Sequence, residues 1–539
     1  MSTSDDSQLA QLREEIHPGV FGGGVLLTLL LIAFIGLTPD LAASTLSDAN
    51  DFIITKLGWL YMWIVFAAVL FCGWLMFSSW GRIKLGDPDE EPEFTLMEFF
   101  AMMFSSGLAV GLVFWGPAEA LAHFQSGPPF FEAGAKSQAL MPGAIQYTLF
   151  HSGISPWAAY LVFGVVFGYF AHRRDYALRP ATIFAPFVND DSLDSWWATL
   201  VDAAVVVISV GGICVSLGFG VIQFTTGLQY NWGINLDDTG IVLLTIGLTI
   251  AFTASAAVGV QRGIRRISDF NILLFAVLLV TALIFAPISY VLNLGSQAFA
   301  GLITDFVGMS FYTNFANDAK WVGGWTMFFW AWWLAFGPMI GIFIARICRG
   351  RTIRQVVFVG IIGTSAASFP WFITLGGSAL WAQTTGKADL LKVMSNFGIE
   401  GVGFSLFEQL IPFSGVFSAL YLLLVLTFLI TTVDSSTLSV AMLTVGGDEH
   451  PTVLNRVVWG VLVGLLTSLL IIIGGLSTLQ SFVVLVGFPT ALMCVVCMVG
   501  LVLTLERRTP VLLTESEPTE AETSQDFTQR SHSQTTTED

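Results

Sequence analysis

Long apolar runs separated by short polar connections organise this chain. Twelve runs, at about residues 18–39, 56–80, 96–124, 142–171, 195–229, 240–260, 268–292, 321–346, 352–381, 414–443, 453–475 and 478–504, are long enough to cross a bilayer. A helix needs roughly 20 residues to span about 30 Å of hydrocarbon. The runs are apolar all round and lack period-2 alternation, so they predict helices rather than strands. Several are longer than one straight crossing requires, which predicts tilt or breaks. The connection 293–320 carries Phe299, Leu302, Ile303, Phe306 and Val307 at helical spacing and reads as an amphipathic helix lying in the interface. The opening stretch 1–17 is polar and of mixed charge. It lacks the basic start and small-residue cleavage site of a removable signal, so Gly19–Leu37 reads as a permanent span.

Composition turns this pattern into a class. Only 11% of the 539 residues are charged and 54% are hydrophobic before the 53 glycines are added. A soluble domain carries roughly 25% charged residues, so too little polar surface exists to wrap a water-soluble body of this size. The expectation is an all-α integral membrane protein. A net charge of −17 with no basic stripe excludes a nucleic-acid binder. The segment 506–539 is polar, and from Thr514 onward it holds seven carboxylates against one arginine, which predicts a disordered acidic tail. Acidic excess in the loops and tail is also what a high-salt habitat is expected to select.

Basic residues set the orientation. If both termini are cytoplasmic, 17 of the 22 lysines and arginines fall in inside segments, and only Lys56, Lys136, Lys320, Lys387 and Lys392 fall outside. Positive charge is retained on the cytoplasmic side, so twelve spans in a cell membrane with both ends inside is the expected topology. The five cysteines all lie in or at the ends of apolar runs. The Cys494–Cys497 pair has no second pair to complete a zinc or redox motif, so it reads as helix packing.

Candidate chemistry concentrates in four places. Trp325, Phe329, Trp332, Trp333 and Phe336 recur on one helical face. An interfacial aromatic belt accounts for Trp321 and Trp325, but Trp332 and Trp333 lie about two turns deeper. There, stacked indole faces suit a cation with no N–H to donate. In run 142–171, Trp157 and Tyr160 share a face, and His151 is open to two readings, a proton carrier or a satisfied helix-end residue. In run 96–124, Ser105, Ser106, Gly107, Leu108, Ala109, Val110 and Gly111 precede Gly116-Pro117. This clustering of small residues fits either an unwound segment lining a cavity or close GxxxG-type packing. Gly337-Pro338 makes a similar break five runs later, the pattern of a transporter built from inverted repeats. In run 414–443, Phe428, Thr431, Thr432, Asp434 and Ser435 form an all-oxygen setting for a hard cation, or hydroxyls bonded back to their own helix. The six histidines are scattered singly, so no paired His/Glu ligand set of an intramembrane enzyme is apparent. A channel, the rival from another class, would show a charged or carbonyl-lined pore.

The run Gly324-Trp325-Thr326-Met327-Phe328-Phe329-Trp330-Ala331-Trp332-Trp333 resembles the signature of the betaine/carnitine/choline transporter family. Gly86-Asp87, Arg262-Gly263-Ile264, Ala345-Arg346, Arg349-Gly350-Arg351 and Asp434-Ser435 resemble further pieces of it, and the likeness covers about residues 18–505. The resemblance implies two extra N-terminal spans within 18–95, then a LeuT-type five-plus-five inverted repeat. Spans 3–7 (96–292) and spans 8–12 (321–505) would be its halves, with the outer connection 293–320 between them. It also implies a secondary transporter, often a homotrimer, importing a small zwitterionic quaternary-ammonium solute such as glycine betaine by sodium symport and alternating access. Sodium-independent exchange, or carriage of carnitine, choline or a similar solute, stays open.

Position by position, the resemblance implies an aromatic cage of Trp157, Tyr160, Trp332 and Trp333, with Trp330 and Phe336 lining the path. Amides near Ser106, Leu108 and Ala109 would meet the carboxylate. Sodium would be held by Ser105 and Leu108 with Phe428, Thr431 and Thr432. Ser152 stands where the family carries a further cage tryptophan, and Ile213 stands beside Ser209 where a second sodium ligand would be.

Overall fold

A computed structural model describes residues 11–257, 260–316, 319–446 and 451–514 of the chain. The side chains of 106–110, 252–257, 260–266, 268, 269, 414 and 507–514 lie outside the described residues. Every regular element among those described is helical, and the one isolated β-bridge joins Lys84 to Thr352. The long helices are α1 (Pro18–Leu37), α2 (Pro39–Phe52), α3 (Gly58–Phe77) and α4 (Leu96–Trp115), followed by the short α5 (Glu119–Ser126). Next come α6 (Met141–Ser152), α7 (Ile154–Arg174), α8 (Trp196–Trp232), α9 (Asp238–Ala257), α10 (Val260–Phe285) and α11 (Ile288–Phe311). The last four are α12 (Phe328–Ile347), α13 (Thr364–Thr384), α14 (Ser414–Thr444) and α15 (Val453–Thr514).

Eight helical stretches among the described residues are long and apolar enough to cross a membrane, and nine if the bent pair α10–α11 counts as one. The chain is therefore a multi-pass membrane protein. The difference from twelve apolar runs lies at three of them. The helices α4 and α9 are described throughout only over Leu96–Ser105 and Asp238–Ala251, and the last two runs form one stretch, Val453–Glu506, with a kink inside it. Within α15 the backbone leaves helical geometry at Gly474 (φ 177°, ψ 14°) and Gly475 (φ 60°, ψ −136°), and the positive φ of Gly475 is one that glycine adopts without strain. The run 268–292 is cut short because Pro287 cannot continue a helix: α10 stops at Phe285, and α11 leaves at 107°. The amphipathic segment is thus helical but begins at Ile288, and Phe299, Ile303 and Val307 face outward.

Helix α12 runs through the middle of the bundle and crosses α7 at close quarters. A methyl at Gly341 would lie 2.4 Å from Phe163 Cβ, and one at Gly164 would lie 2.5 Å from Ile344 Cγ2. Lipid gives helices little hydrophobic reason to associate, so such small-residue contacts, which bring backbones together, supply the packing energy.

The connections gather at two ends. At one end, the Leu85 amide donates to Arg351 O (2.8 Å), Gly350 N to Leu85 O (2.7 Å) and Ile353 N to Ile83 O (2.9 Å). Arg173 donates to Gly86 O, Arg354 to Met76 O, and Arg349 pairs with Glu90. His17 N bonds Thr444 O, and Glu15 accepts from Thr452. At the other end, Trp321 Nε1 donates to Ser126 Oγ (2.9 Å), the Tyr312 hydroxyl to Pro129 O (2.7 Å), and Tyr230 to Glu408.

Candidate functional site

Two broken helices frame the middle of the bundle. Between α4 and α5, Pro117 has no N–H, so the Val113 carbonyl loses its partner four residues on. Tyr421 on α14 replaces that donor with its hydroxyl at 2.5 Å, and Gln223 on α8 adds a longer contact at 3.5 Å. Trp371 on α13 donates its indole N–H to Leu112 O (2.7 Å). The break is thereby fastened to three other helices, which is how irregular backbone survives at membrane depth. Between α6 and α7, Gly153 (φ −109°, ψ −125°) interrupts the chain directly after Ser152.

The Gly153 break aims Trp157 and Tyr160 at α12. The Trp157 and Tyr160 rings lie 5.9 Å apart at 88°, Trp157 and Trp333 lie 5.7 Å apart at 61°, and Tyr160 and Trp333 lie 4.8 Å apart at 53°. Edge and face thus alternate around a three-ring cluster. Trp332 belongs to a neighbouring ring group, 5.1 Å from Phe219 and stacked on Phe328 at 5.9 Å. A methyl at Gly111 would lie 3.0 Å from the Trp332 ring, which brings the small-residue stretch of α4 against it. Phe336 lies over Gly212 of α8, 3.2 Å from where a methyl there would stand. Trp330 points elsewhere, to Phe150 (5.1 Å) and His151 (5.8 Å). Trp332, Trp333 and Phe336 keep 9%, 5% and 7% of their surface, whereas Phe328, Phe329 and Trp330 keep 1–2%, so the former are the less completely enclosed rings. Ser152 is buried, and its carbonyl accepts from Ser368 Oγ at 3.4 Å.

The oxygen-rich stretch lies on α14, which packs against α4. The Thr431 hydroxyl sits 3.1 Å from both Thr427 O and Phe428 O, and it accepts from Asn271 Nδ2 of α10 at 3.1 Å. Thr432 Oγ1 and Asn271 Oδ1 are buried without a hydrogen-bond partner among the described residues. Ser105 Oγ bonds back to Met102 O. The side chains of Ser106, Leu108 and Ala109 lie outside the described residues, and so do the contacts expected of them. Asp434, the ionisable residue inside this run, meets Arg456 of α15 at 2.8 Å, and both are buried.

The profile of the BCCT, or betaine/carnitine/choline family transporter, matches residues 19–510. The chain belongs to this family. The resemblance read from the tryptophan-rich run therefore holds over nearly the whole chain. This BCCT transporter is 33% identical over 475 residues to a probable glycine betaine transporter of Desulfitobacterium hafniense, covering 87% of this chain and 94% of the relative. It is 33% identical over 468 residues to the glycine betaine transporter OpuD of Bacillus subtilis, covering 86% and 90%. An ectoine/hydroxyectoine transporter of Virgibacillus pantothenticus is 30% identical over 462 residues, covering 85% and 91%.

One constellation in this BCCT chain escaped the sequence reading. Two of the histidines that look scattered along the chain converge on one carboxylate. Glu119 Oε1 on α5 lies 3.1 Å from His123 Nε2 and 2.7 Å from His151 Nδ1 of α6. His151 Nε2 lies 3.0 Å from Thr326 Oγ1, in the π-helical turn Gly323–Met327 that leads into α12. Both ring nitrogens of His151 are therefore engaged. The spacing of Glu119 and His123, four apart on one helix, is the signal that could have revealed half of the cluster.

Proposed function

We propose that this chain is a secondary active transporter that imports a quaternary-ammonium osmolyte, glycine betaine or a close relative, by sodium symport with alternating access. The observation that carries the reading is the mutual approach of Trp157, Tyr160 and Trp333, at centroid separations of 4.8 to 5.9 Å beside the Gly153 break. A trimethylammonium head has no N–H to donate and is held by ring faces, each worth roughly 0.5–2 kcal/mol. In this reading the rings separate to admit the head. Trp332 and Phe336 complete the wall, Trp330 lines the approach, and backbone amides of Ser106, Leu108 and Ala109 meet the carboxylate.

Sodium is the coupling ion in the proposal. It would be held by Thr431, Thr432 and the Phe428 carbonyl of α14 together with Ser105 and the Leu108 carbonyl of α4. The orphaned Thr432 hydroxyl supports this, because a buried oxygen without a donor suits a hard cation. One sodium ion entering down a tenfold gradient releases about 1.4 kcal/mol. A potential of 100 mV adds about 2.3 kcal/mol. Together these suffice for accumulation of several hundred-fold.

The topology proposed is twelve spans in the cell membrane with a LeuT-type repeat over spans 3–7 and 8–12, and with both termini cytoplasmic. The end at which Arg173, Arg349, Arg351 and Arg354 gather would be the inner one. A homotrimer is proposed as the assembly. A second reading, carriage of a related zwitterion, is favoured by Ser152, which puts a hydroxymethyl where a further ring would close the cage.

The experiment is uptake of labelled glycine betaine into proteoliposomes with an inward sodium gradient, with potassium in its place, and with unlabelled ectoine as competitor. Uptake that needs sodium and saturates supports the proposal. Uptake indifferent to sodium removes the coupling, and ectoine outcompeting betaine moves the substrate to the second reading.

A further inference from the structure

We propose that Glu119, His123 and His151 form a proton-binding site, holding one dissociable proton beyond those of two neutral imidazoles. All three side chains are fully buried. If both imidazoles are neutral, each spends its single N–H on Glu119 Oε1, and the Thr326 hydroxyl donates to the free nitrogen of His151. That arrangement leaves a full negative charge sealed inside the protein. No lysine or arginine pairs with Glu119 among the described residues. An uncompensated buried carboxylate is costly enough that such a group takes up a counter-charge instead.

One proton neutralises the cluster and leaves each short contact with a hydrogen in it. The carboxyl O–H donates to one imidazole nitrogen, and the other imidazole donates to the carboxyl. Among the described residues Glu119 Oε2 and His123 Nδ1 are both buried without a hydrogen-bond partner, so an uncommitted acceptor exists on each residue. A divalent metal fits less well. Imidazole and carboxylate ligands at about 2.0–2.2 Å from zinc stand more than 3 Å apart in a tetrahedron. The 2.7 and 3.1 Å separations here are hydrogen-bond lengths, and a doubly charged ion would leave a net positive charge in their place.

Among the described residues no salt bridge to a lysine or arginine reaches the cluster. Tyr147 on α6 is the titratable neighbour, with its ring 5.7 Å from His123 and 5.6 Å from His151. Asp305 on α11 is engaged by Gln146 Nε2 at 2.9 Å, and Lys320, at the start of the approach to α12, is exposed. The face of α13 against α5 and α6 carries no ionisable side chain, and on α7 the ionisable side chain nearest the Gly153 break is Tyr160, in the ring cluster, with Tyr169, His172, Arg173 and Arg174 two or more turns further on. Through His151 and Thr326 the proton ties α5 and α6 to the turn before the aromatic helix. Losing it would strand a charge unless this region opened to water, so deprotonation and opening are linked.

The test does not depend on the identity of the solute. Infrared spectra of the full chain in lipid are recorded from about pH 5 to about pH 9, around the range where imidazole and shifted carboxyl groups titrate. A protonated-carboxyl stretching band at neutral pH is expected to be lost in Glu119→Gln, whose amide keeps one donor and one acceptor. It is expected to shift in Glu119→Asp, so that second variant carries the test if the first fails to fold. Absence of the band in the unmodified chain, or its persistence unchanged in either variant, overturns the proposal. Stoichiometric zinc binding that disappears in Glu119→Gln also overturns it and makes the site a metal centre.

Discussion

The Tyr421 hydroxyl donates to the Val113 carbonyl at 2.5 Å, taking the place of the amide that Pro117 lacks. A side chain on α14 thereby closes a gap in the hydrogen-bond ladder of α4. Tyr421→Phe leaves that carbonyl with only the long Gln223 contact and is expected to destabilise the fold by about 1–3 kcal/mol. Thermal unfolding in detergent should show the lower midpoint, and an unchanged midpoint would mean that the carbonyl finds another donor.

Trp333 is the ring of the cluster carried on α12, so its removal tests the meeting of α7 with α12. Trp333→Ala should raise the betaine concentration for half-maximal uptake between about 2-fold and about 30-fold, the equivalent of one lost cation–π contact. Trp333→Phe, which keeps a ring face, should recover part of the loss. Uptake kinetics decide the matter, and an Ala variant equal to the parent would remove the cage.

Thr432→Val separates stability from ion use. The Thr432 hydroxyl has no hydrogen-bond partner among the described residues, so a methyl of the same shape should leave the unfolding temperature unchanged or slightly higher. The sodium concentration for half-maximal uptake should nevertheless rise several-fold. If sodium dependence stays put, the ion is held elsewhere.

Gly341 crosses α7 where no side chain fits. Gly341→Ala would drive a methyl within 3.0 Å of the Phe163 carbonyl carbon as well as against its Cβ. Overpacking of this kind costs about 1–3 kcal/mol. Yield of folded protein and unfolding temperature should both fall, while Gly324→Ala, with open space around it, should change neither.

The loop carboxylate Glu90 supplies a pH test. Its carboxylate accepts from the Asp87 amide, its main stabilising contact, and lies next to Arg349; together these hold its pKa below the ordinary value despite partial burial. A carboxylate depressed in the folded state adds stability that is fully present above about pH 4.3, its unfolded value, and fades as pH falls through the lower folded value. Glu90→Gln should therefore unfold more easily than the parent at neutral pH. The difference should shrink in acid, as read from unfolding midpoints at stepped pH. A constant difference at every pH would assign the effect to packing.

Most of the helical layout was legible because the bilayer imposes one length on every apolar run. The run 352–381 is found as the helical stretch Ile353–Thr384, and 414–443 as α14. A boundary failed where apolar composition continues through a turn, as at Pro287, since hydrophobicity alone does not register backbone direction, whereas the gap between runs 453–475 and 478–504 falls beside the Gly474–Gly475 kink. The pairing of Trp157 with Tyr160 was visible from their spacing, and their meeting with Trp333 came from the family likeness rather than from periodicity. The Glu119 cluster was hidden because His151 lies in a different broken helix, and proximity across a fold leaves no mark in local spacing. The same holds for Asn271, whose amide on Thr431 joins α10 to α14.

The clasp between Ile83–Leu85 and Arg351–Ile353 is made from main-chain amides and carbonyls. Any residue except proline supplies those atoms, so the two strips can drift in sequence while remaining joined. Relatives of this chain should therefore preserve the seam in shape long after its letters have diverged.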